Sequence, residues 1–129
     1  MYELDEILMK QEEHNEQVML IQWWSLMCNS FHVPEICLFA IPNGGLRNII
    51  IAAKMKREGV RSGIPDLFLA CPRKDYHGLF IEMKKPKGGR VSDSQKTAIK
   101  VLEYNKYKTA VCHGWEQAKQ EITEYLSAA

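Results

Sequence analysis

Two short apolar runs, residues 66–71 and 78–84, flank the polar stretch 72–77, which opens with Pro72. Runs of this length bounded by turn-forming residues read as β-strands, and their closeness along the chain makes them an antiparallel hairpin. A wholly parallel sheet is thereby excluded. The hairpin also gathers charge. Alternate side chains of a strand share a face, so Glu82 and Lys84 point the same way. With the hairpin closed after Pro72, Asp66 at the head of the first strand lies beside the end of the second. Asp66, Glu82 and Lys84 then meet at one edge of the sheet.

Around this hairpin the apolar periodicity switches between helix and strand. Residues 12–29 read as a helix, with Met19, Leu20, Trp23, Trp24 and Met27 recurring at three- and four-residue steps. Pro34 blocks its continuation, and residues 36–41 form a short strand before the turn Pro42-Asn43-Gly44-Gly45. Residues 46–58 read as a second helix, with Leu46, Ile49, Ile50 and Ala53 on one side and Gly59 as its stop. Residues 92–107 form a third, which Ser92 caps while Gln95 bonds back to it in a capping box. A strand at 109–112 and a helix at 115–126, with Ala118, Ile122, Tyr125 and Leu126 inward, complete the order. The expected class is α/β, a mixed β-sheet flanked by helices. No repeat, linker or low-complexity stretch interrupts the 129 residues, so residues 1–129 are expected to form one domain.

The formal net charge of +1 is uninformative, but its distribution is not. Glu3, Asp5, Glu6, Glu12, Glu13 and Glu16 make the start of the chain acidic, whereas Lys54, Lys56, Arg57, Arg61, Lys84, Lys85, Lys87 and Arg90 make the middle basic. Cys28, Cys37, Cys71 and Cys112 lie among apolar residues with no metal-ligand spacing, which suits buried, reduced thiols and a reducing compartment. The four histidines show no zinc spacing either. No apolar run is long enough to span a bilayer, and acidic residues stand where a secretory leader would be basic. No membrane association is expected. Trp23, Trp24 and Trp115 sit at helical apolar positions and read as core or interface.

Two carboxylates and a lysine at one sheet edge suit phosphodiester cleavage. Hard oxygen ligands bind Mg²⁺ or Mn²⁺, which neutralises phosphate charge and activates water. A lysine beside them can orient that water or stabilise the developing charge. The competing interpretation is structural: Asp66 caps a turn, and Glu82 and Lys84 form an exposed ion pair on an amphipathic strand. Taken alone, the Glu-x-Lys spacing favours the structural interpretation. Pro65-Asp66 at the head of an apolar strand makes the pattern more specific.

Pro65-Asp66 followed by Glu82-Met83-Lys84 resembles the PD-(D/E)XK nuclease superfamily. Further stretches extend the likeness: Ile41-Pro42-Asn43-Gly44-Gly45, the run from Gly59 to Leu67, the run from Tyr76 to Lys84, and Ser92-Asp93-Ser94-Gln95. Together, from about Glu13 to Leu126, they are similar to the VRR-NUC family of virus-type replication-repair nucleases, in its minimal stand-alone phage or bacterial form.

The resemblance implies a restriction-endonuclease-like core and a metal-dependent, structure-selective DNA endonuclease. Asp66 and Glu82 match the metal-binding carboxylates, Lys84 the catalytic lysine, and the Met83 backbone carbonyl a further ligand. Gln95 matches the glutamine of the following helix, a role compatible with its capping box. The family also supplies a glutamate from the first helix; Glu13, four residues before Gln17 on the same face, fits it, with Glu16 as the alternative. Asn43, Gly44 and Gly45 would meet DNA, though the residues alone suggest an ordinary tight turn. Arg47, Lys54, Arg61, Lys85, Lys87 and Arg90 would contact phosphates, each with plain surface exposure as its alternative. Minimal members resemble Holliday junction resolvases, so the implied substrate is branched DNA, cut by a homodimer in the cytoplasm of a bacterial or phage-infected cell. Flap or nicking cleavage by the same fold, or a non-catalytic DNA-binding module, are the alternatives.

Overall fold

The computed structural model describes residues 2–42 and 48–128. In chain order they form helix α1 (Tyr2–Met27), strand β1 (Leu38–Ala40), helix α2 (Ile49–Arg57), strands β2 (Leu67–Leu69) and β3 (Leu79–Lys84), helix α3 (Asp93–Tyr104), strand β4 (Lys108–His113) and helix α4 (Trp115–Ser127). The sheet has the order β1-β2-β3-β4. β1 and β2 pair antiparallel, as do β2 and β3, whereas β3 and β4 run parallel. This is the mixed α/β architecture expected from the sequence. The parallel step requires a crossover, and α3 supplies it.

The hairpin register pairs Leu67 with Ile81 and Leu69 with Leu79. These residues, with Leu38 and Met83, lie on one face and pack on Leu20, Trp24 and Cys28 of the α1 region and Ala118, Ile122 and Leu126 of α4. Each such large apolar side chain stabilises the fold by about 1.5–3 kcal/mol on burial. Phe68 and Phe80 stand in register on the opposite face with ring centroids 4.3 Å apart. That face is covered by α3, whose half-buried Ala98, Ile99 and Leu102 recur at helical spacing.

Several boundaries differ from the sequence expectation. α1 begins at Tyr2 rather than residue 12. Its first turns carry helix-favouring residues and Leu4, Ile7 and Leu8 at helical spacing, a stripe that the expectation of a start at residue 12 left out and that stays exposed. Within α1, Leu20 and Trp24 face the core while Met19 and Met27 are exposed. β1 loses its first residues to a 3-10 turn at Glu35–Cys37, where the Trp24 indole Nε1 donates to the Glu35 carbonyl at 2.8 Å and Ile36 points outward. α2 begins after the cap Asn48, and its inward side is Ala52 and Met55; Ile49 and Ile50 are exposed, contrary to expectation. Leu46 lies outside the described residues. Gly59, at φ 102°, does end α2. Cys28 and Cys112 are buried, Cys37 and Cys71 half-buried, and all four are free thiols. Among the described residues no helix is long and apolar enough to cross a membrane.

α4 begins at Gly114, which offers no side-chain cap. The Trp115 N–H instead donates to Glu16 Oε1 at 2.8 Å, so a carboxylate from α1 closes the N-terminus of α4, where negative charge is favoured. Glu16→Ala is expected to lower stability by about 1 kcal/mol, a fall in melting temperature of roughly 2–5 °C. Thermal unfolding by circular dichroism measures this; an unchanged melting temperature would show that the cap contributes nothing.

Candidate active site

The face of α1 that buries Trp24 and Leu20 continues towards the N-terminus as Gln17 and Glu13, one turn at a time. The stripe turns polar where it passes the end of the sheet. There the sheet contributes its own charges. Asp66 immediately precedes β2, and its main-chain carbonyl accepts from Ile41 N–H at 2.8 Å, extending the β1–β2 pairing. Its side chain turns across the hairpin, where Oδ2 accepts from the Met83 backbone N–H at 2.7 Å. The N–H and C=O of one strand residue project to the same side, so the Met83 carbonyl belongs to the edge that Asp66 occupies.

Glu82 and Lys84 are buried, 5% and 6% exposed, with Lys84 Nζ 3.6 Å from Glu82 Oε2. This excludes the exposed surface ion pair that the Glu-x-Lys spacing alone allows. Gln95 joins them. Its Oε1 accepts from Lys84 Nζ at 3.1 Å and from Ser92 N–H at 2.9 Å, and its Nε2 donates to Glu82 Oε2 at 3.1 Å. Ser92 Oγ in turn accepts from Gln95 N–H at 3.2 Å. The capping box that starts α3 is therefore also the support of the charged pair.

Burial, the charge of Asp66 and a hydrogen bond between the two carboxyls push the Glu82 carboxyl up to about 8, against the opposing pull of Lys84. Burial likewise raises Glu13, which Lys84 opposes and Asp66 reinforces. Two carboxyls held this close together form a fitting place for a cation, whose charge would offset their repulsion. The donors are hard oxygens, appropriate to Mg²⁺ or Mn²⁺. Among the described residues no three Asp, Glu, His or Cys side chains close a ready-made metal cluster. The side-chain part of a metal site here would be the Asp66–Glu82 pair, to which the Met83 carbonyl would add.

These groups open into a cleft of about 670 Å³ whose lining includes Glu13, Asp66, Glu82, Lys84, Gln95, Arg61 and Arg90. Lys54, Lys85 and Lys87 stand outside the lining, as does Glu16, which is engaged with α4. Asn43, Gly44, Gly45 and Arg47 lie outside the described residues. The cleft also brings in Lys10, Lys56, Ser62 and Gly63, to which the sequence reading gave no site role. Lys10 was legible in principle, being three residues before Glu13 and so its neighbour on a helix surface.

A family model for the VRR-NUC domain matches residues 2–116. The chain belongs to the VRR-NUC family. A solved structure described as a VRR_NUC domain protein superposes with a TM-score of 0.77 at 28% identity, over 91% of this chain and 89% of the other. No curated protein matches this chain. A VRR-NUC domain is a nuclease of the PD-(D/E)XK type with DNA as its substrate, and members are generally dependent on divalent metal.

The raised Glu82 carboxyl makes stability depend on pH in a defined sense. Its folded value lies above the ordinary carboxyl value of 4.5, so the protonated carboxyl favours the fold fully below about pH 4.5, and that contribution is lost as pH rises towards 8. In chelator, Glu82→Gln is therefore expected to stabilise the protein by about 1–3 kcal/mol at pH 8 and to have little effect at pH 4.5. Paired denaturation curves test this; equal stability of the two proteins at pH 8 would contradict the burial penalty.

Proposed function

We propose that this VRR-NUC domain is a Mg²⁺- or Mn²⁺-dependent, structure-selective endodeoxyribonuclease that resolves four-way junctions as a homodimer in the cytoplasm. The observation that carries the nuclease reading is the buried Glu82–Lys84 pair, bridged by Gln95, beside Asp66 in an open cleft. In this reading Asp66, Glu82 and the Met83 carbonyl hold the metal, with Glu13 facing it from α1. Glu13 is favoured over Glu16 because it lines the cleft while Glu16 caps α4.

A bound divalent cation would supply charge neutralisation at the scissile phosphate. The protein does the rest. An ammonium carries three N–H donors. Gln95 occupies one and Glu82 faces another, so Lys84 retains a donor for the attacking water or a phosphate oxygen. Water attacks phosphorus, the bond to the leaving deoxyribose oxygen breaks, and that oxygen takes up a proton. Gln95 orients both Glu82 and Lys84 through its two amide atoms. Lys10 and Lys56 from the helices, with Arg61 and Arg90 from the loops, bring positive charge to the cleft, where they would position the phosphate backbone without reading sequence. Lys54, Lys85 and Lys87 would serve duplex lying beyond the cleft, and Asn43, Gly44, Gly45 and Arg47, outside the described residues, are proposed on the family likeness alone to meet DNA as well.

The junction and the dimer rest on likeness to the family's minimal members, and exposed Leu4, Ile7 and Leu8 of α1 and Ile49 and Ile50 of α2 offer apolar surface that a second copy would cover. Two sites related by a two-fold axis would match a symmetric four-way junction.

Cleavage of a labelled panel of four-way junction, flap, splayed arm, linear duplex and single strand tests this, run with Mg²⁺, Mn²⁺ or chelator. Metal-dependent junction cutting is expected, reduced at least about 100-fold by Lys84→Ala and by Glu13→Gln but little by Glu16→Gln. Titration calorimetry should show Mn²⁺ binding that Asp66→Ala abolishes. A monomer that cuts flaps and leaves junctions intact would overturn the resolvase reading. DNA binding with no cutting of any substrate would overturn the nuclease itself.

A further inference from the structure

Gly63 lies three residues before Asp66, in the loop that leads into β2, and its φ is 88°. A Cβ at this position would run into the backbone of α3. It would press on the Ser94 carbonyl, 2.6 Å from its carbon, and lie 3.0 Å from the Gln95 nitrogen. The obstacle is main chain in the first turn of a helix, which cannot swing aside as a side chain can. Glycine is thus required twice over, for its backbone angle and for the closeness of approach. Beside it, Ser62 Oγ donates to Ser94 Oγ at 3.3 Å, and Ser94 Oγ is 3.2 Å from Ser92 Oγ. The loop bearing Asp66 and the turn bearing Gln95 are thereby held face to face.

We infer that Gly63 is a positioning residue of the active site, which acts by seating the first turn of α3 so that Gln95 reaches both Lys84 and Glu82. The inference rests on the nuclease reading for its effect on rate, but its structural half stands without it. α3 has no fully buried residue, so its core packing alone holds it loosely. Gln95 spans Lys84 and Glu82 at 3.1 Å each, and a shift of α3 by a few tenths of an ångström would lengthen one or both contacts. Gly59 provides an internal comparison. It too has positive φ, 102°, but a Cβ there would meet nothing within 4 Å. An alanine at 59 imposes the backbone strain without the wedge.

The test compares Gly63→Ala with Gly59→Ala in the full chain by two readouts. By NMR, the Gln95 side-chain amide resonances should move in Gly63→Ala and stay in place in Gly59→Ala. In cleavage assays Gly63→Ala should lower kcat about 10–100-fold with KM for DNA within about twofold, while Gly59→Ala keeps wild-type kcat. Gly63→Ala combined with Gln95→Ala should be no slower than Gln95→Ala alone, because residues acting through one another are not additive. Additive losses, or an unmoved Gln95 amide in Gly63→Ala, would overturn the inference. An inactive wild type would overturn the nuclease reading and leave the NMR comparison intact. Should Gly63→Ala fail to fold, the wild type decides: a nuclear Overhauser contact between the Gly63 Hα protons and the Gln95 amide proton is expected, and its absence would overturn the proposal.

Discussion

A carboxyl and an ammonium side by side in the last three residues of a central strand are costly to desolvate, and the site is arranged around that constraint. A buried ion pair is tolerated only where its remaining donors and acceptors are satisfied. Gln95 meets this need because an amide presents an acceptor and donors in one plane, matched to Lys84 on one side and Glu82 on the other. Among the described residues no buried side-chain nitrogen or oxygen lacks a partner. The pair lies at the end of β3 rather than in its middle, so the cost is met where the sheet opens into the cleft and where a cation would offset it.

The same helix turn that satisfies the pair also begins α3. Ser92 and Gln95 cap each other, so local sequence fixes where the helix starts, and tertiary packing only has to bring that start to the sheet. Gly63 marks the place where this happens. α1 shows a comparable economy. One stripe supplies Leu20 and Trp24 to the core and, a few turns on, Glu13 to the cleft, while Glu16 leaves the stripe to cap α4. Core and cleft are thus continuous along a rigid element, which holds a side chain more firmly than a loop does.

Much of this was legible in advance. The hairpin, the order of elements and the capping box rest on short-range rules of alternation and turn chemistry, and the structure has each of them. What was misjudged lay where packing overrides pattern. Leu4, Ile7 and Leu8 in the first turns of α1, and Ile49 and Ile50 of α2, stay exposed despite their hydrophobicity. The glutamates of α1 illustrate the limit well. Glu13 and Glu16 are chemically identical and three residues apart, so nothing local separates them; only the position of Gly114 and the N-terminus of α4 draws Glu16 away.

The sequence by itself determined the local scaffold of the site: two carboxylates and a lysine on a hairpin, a capped helix after it, and a family membership carried by linear motifs. These depend on alternation along a strand, the closeness of two strands joined by a short loop, and the spacing within each motif, where spacing is geometry. Only the tertiary structure decided that Glu82 and Lys84 are buried rather than a surface pair, that Lys10 and Lys56 share the cleft with Arg61 and Arg90, and that Gly63 abuts Ser94 thirty-one residues away in the chain. Burial and close approach depend on what other segments bring to the same point in space, and no spacing along the chain encodes them.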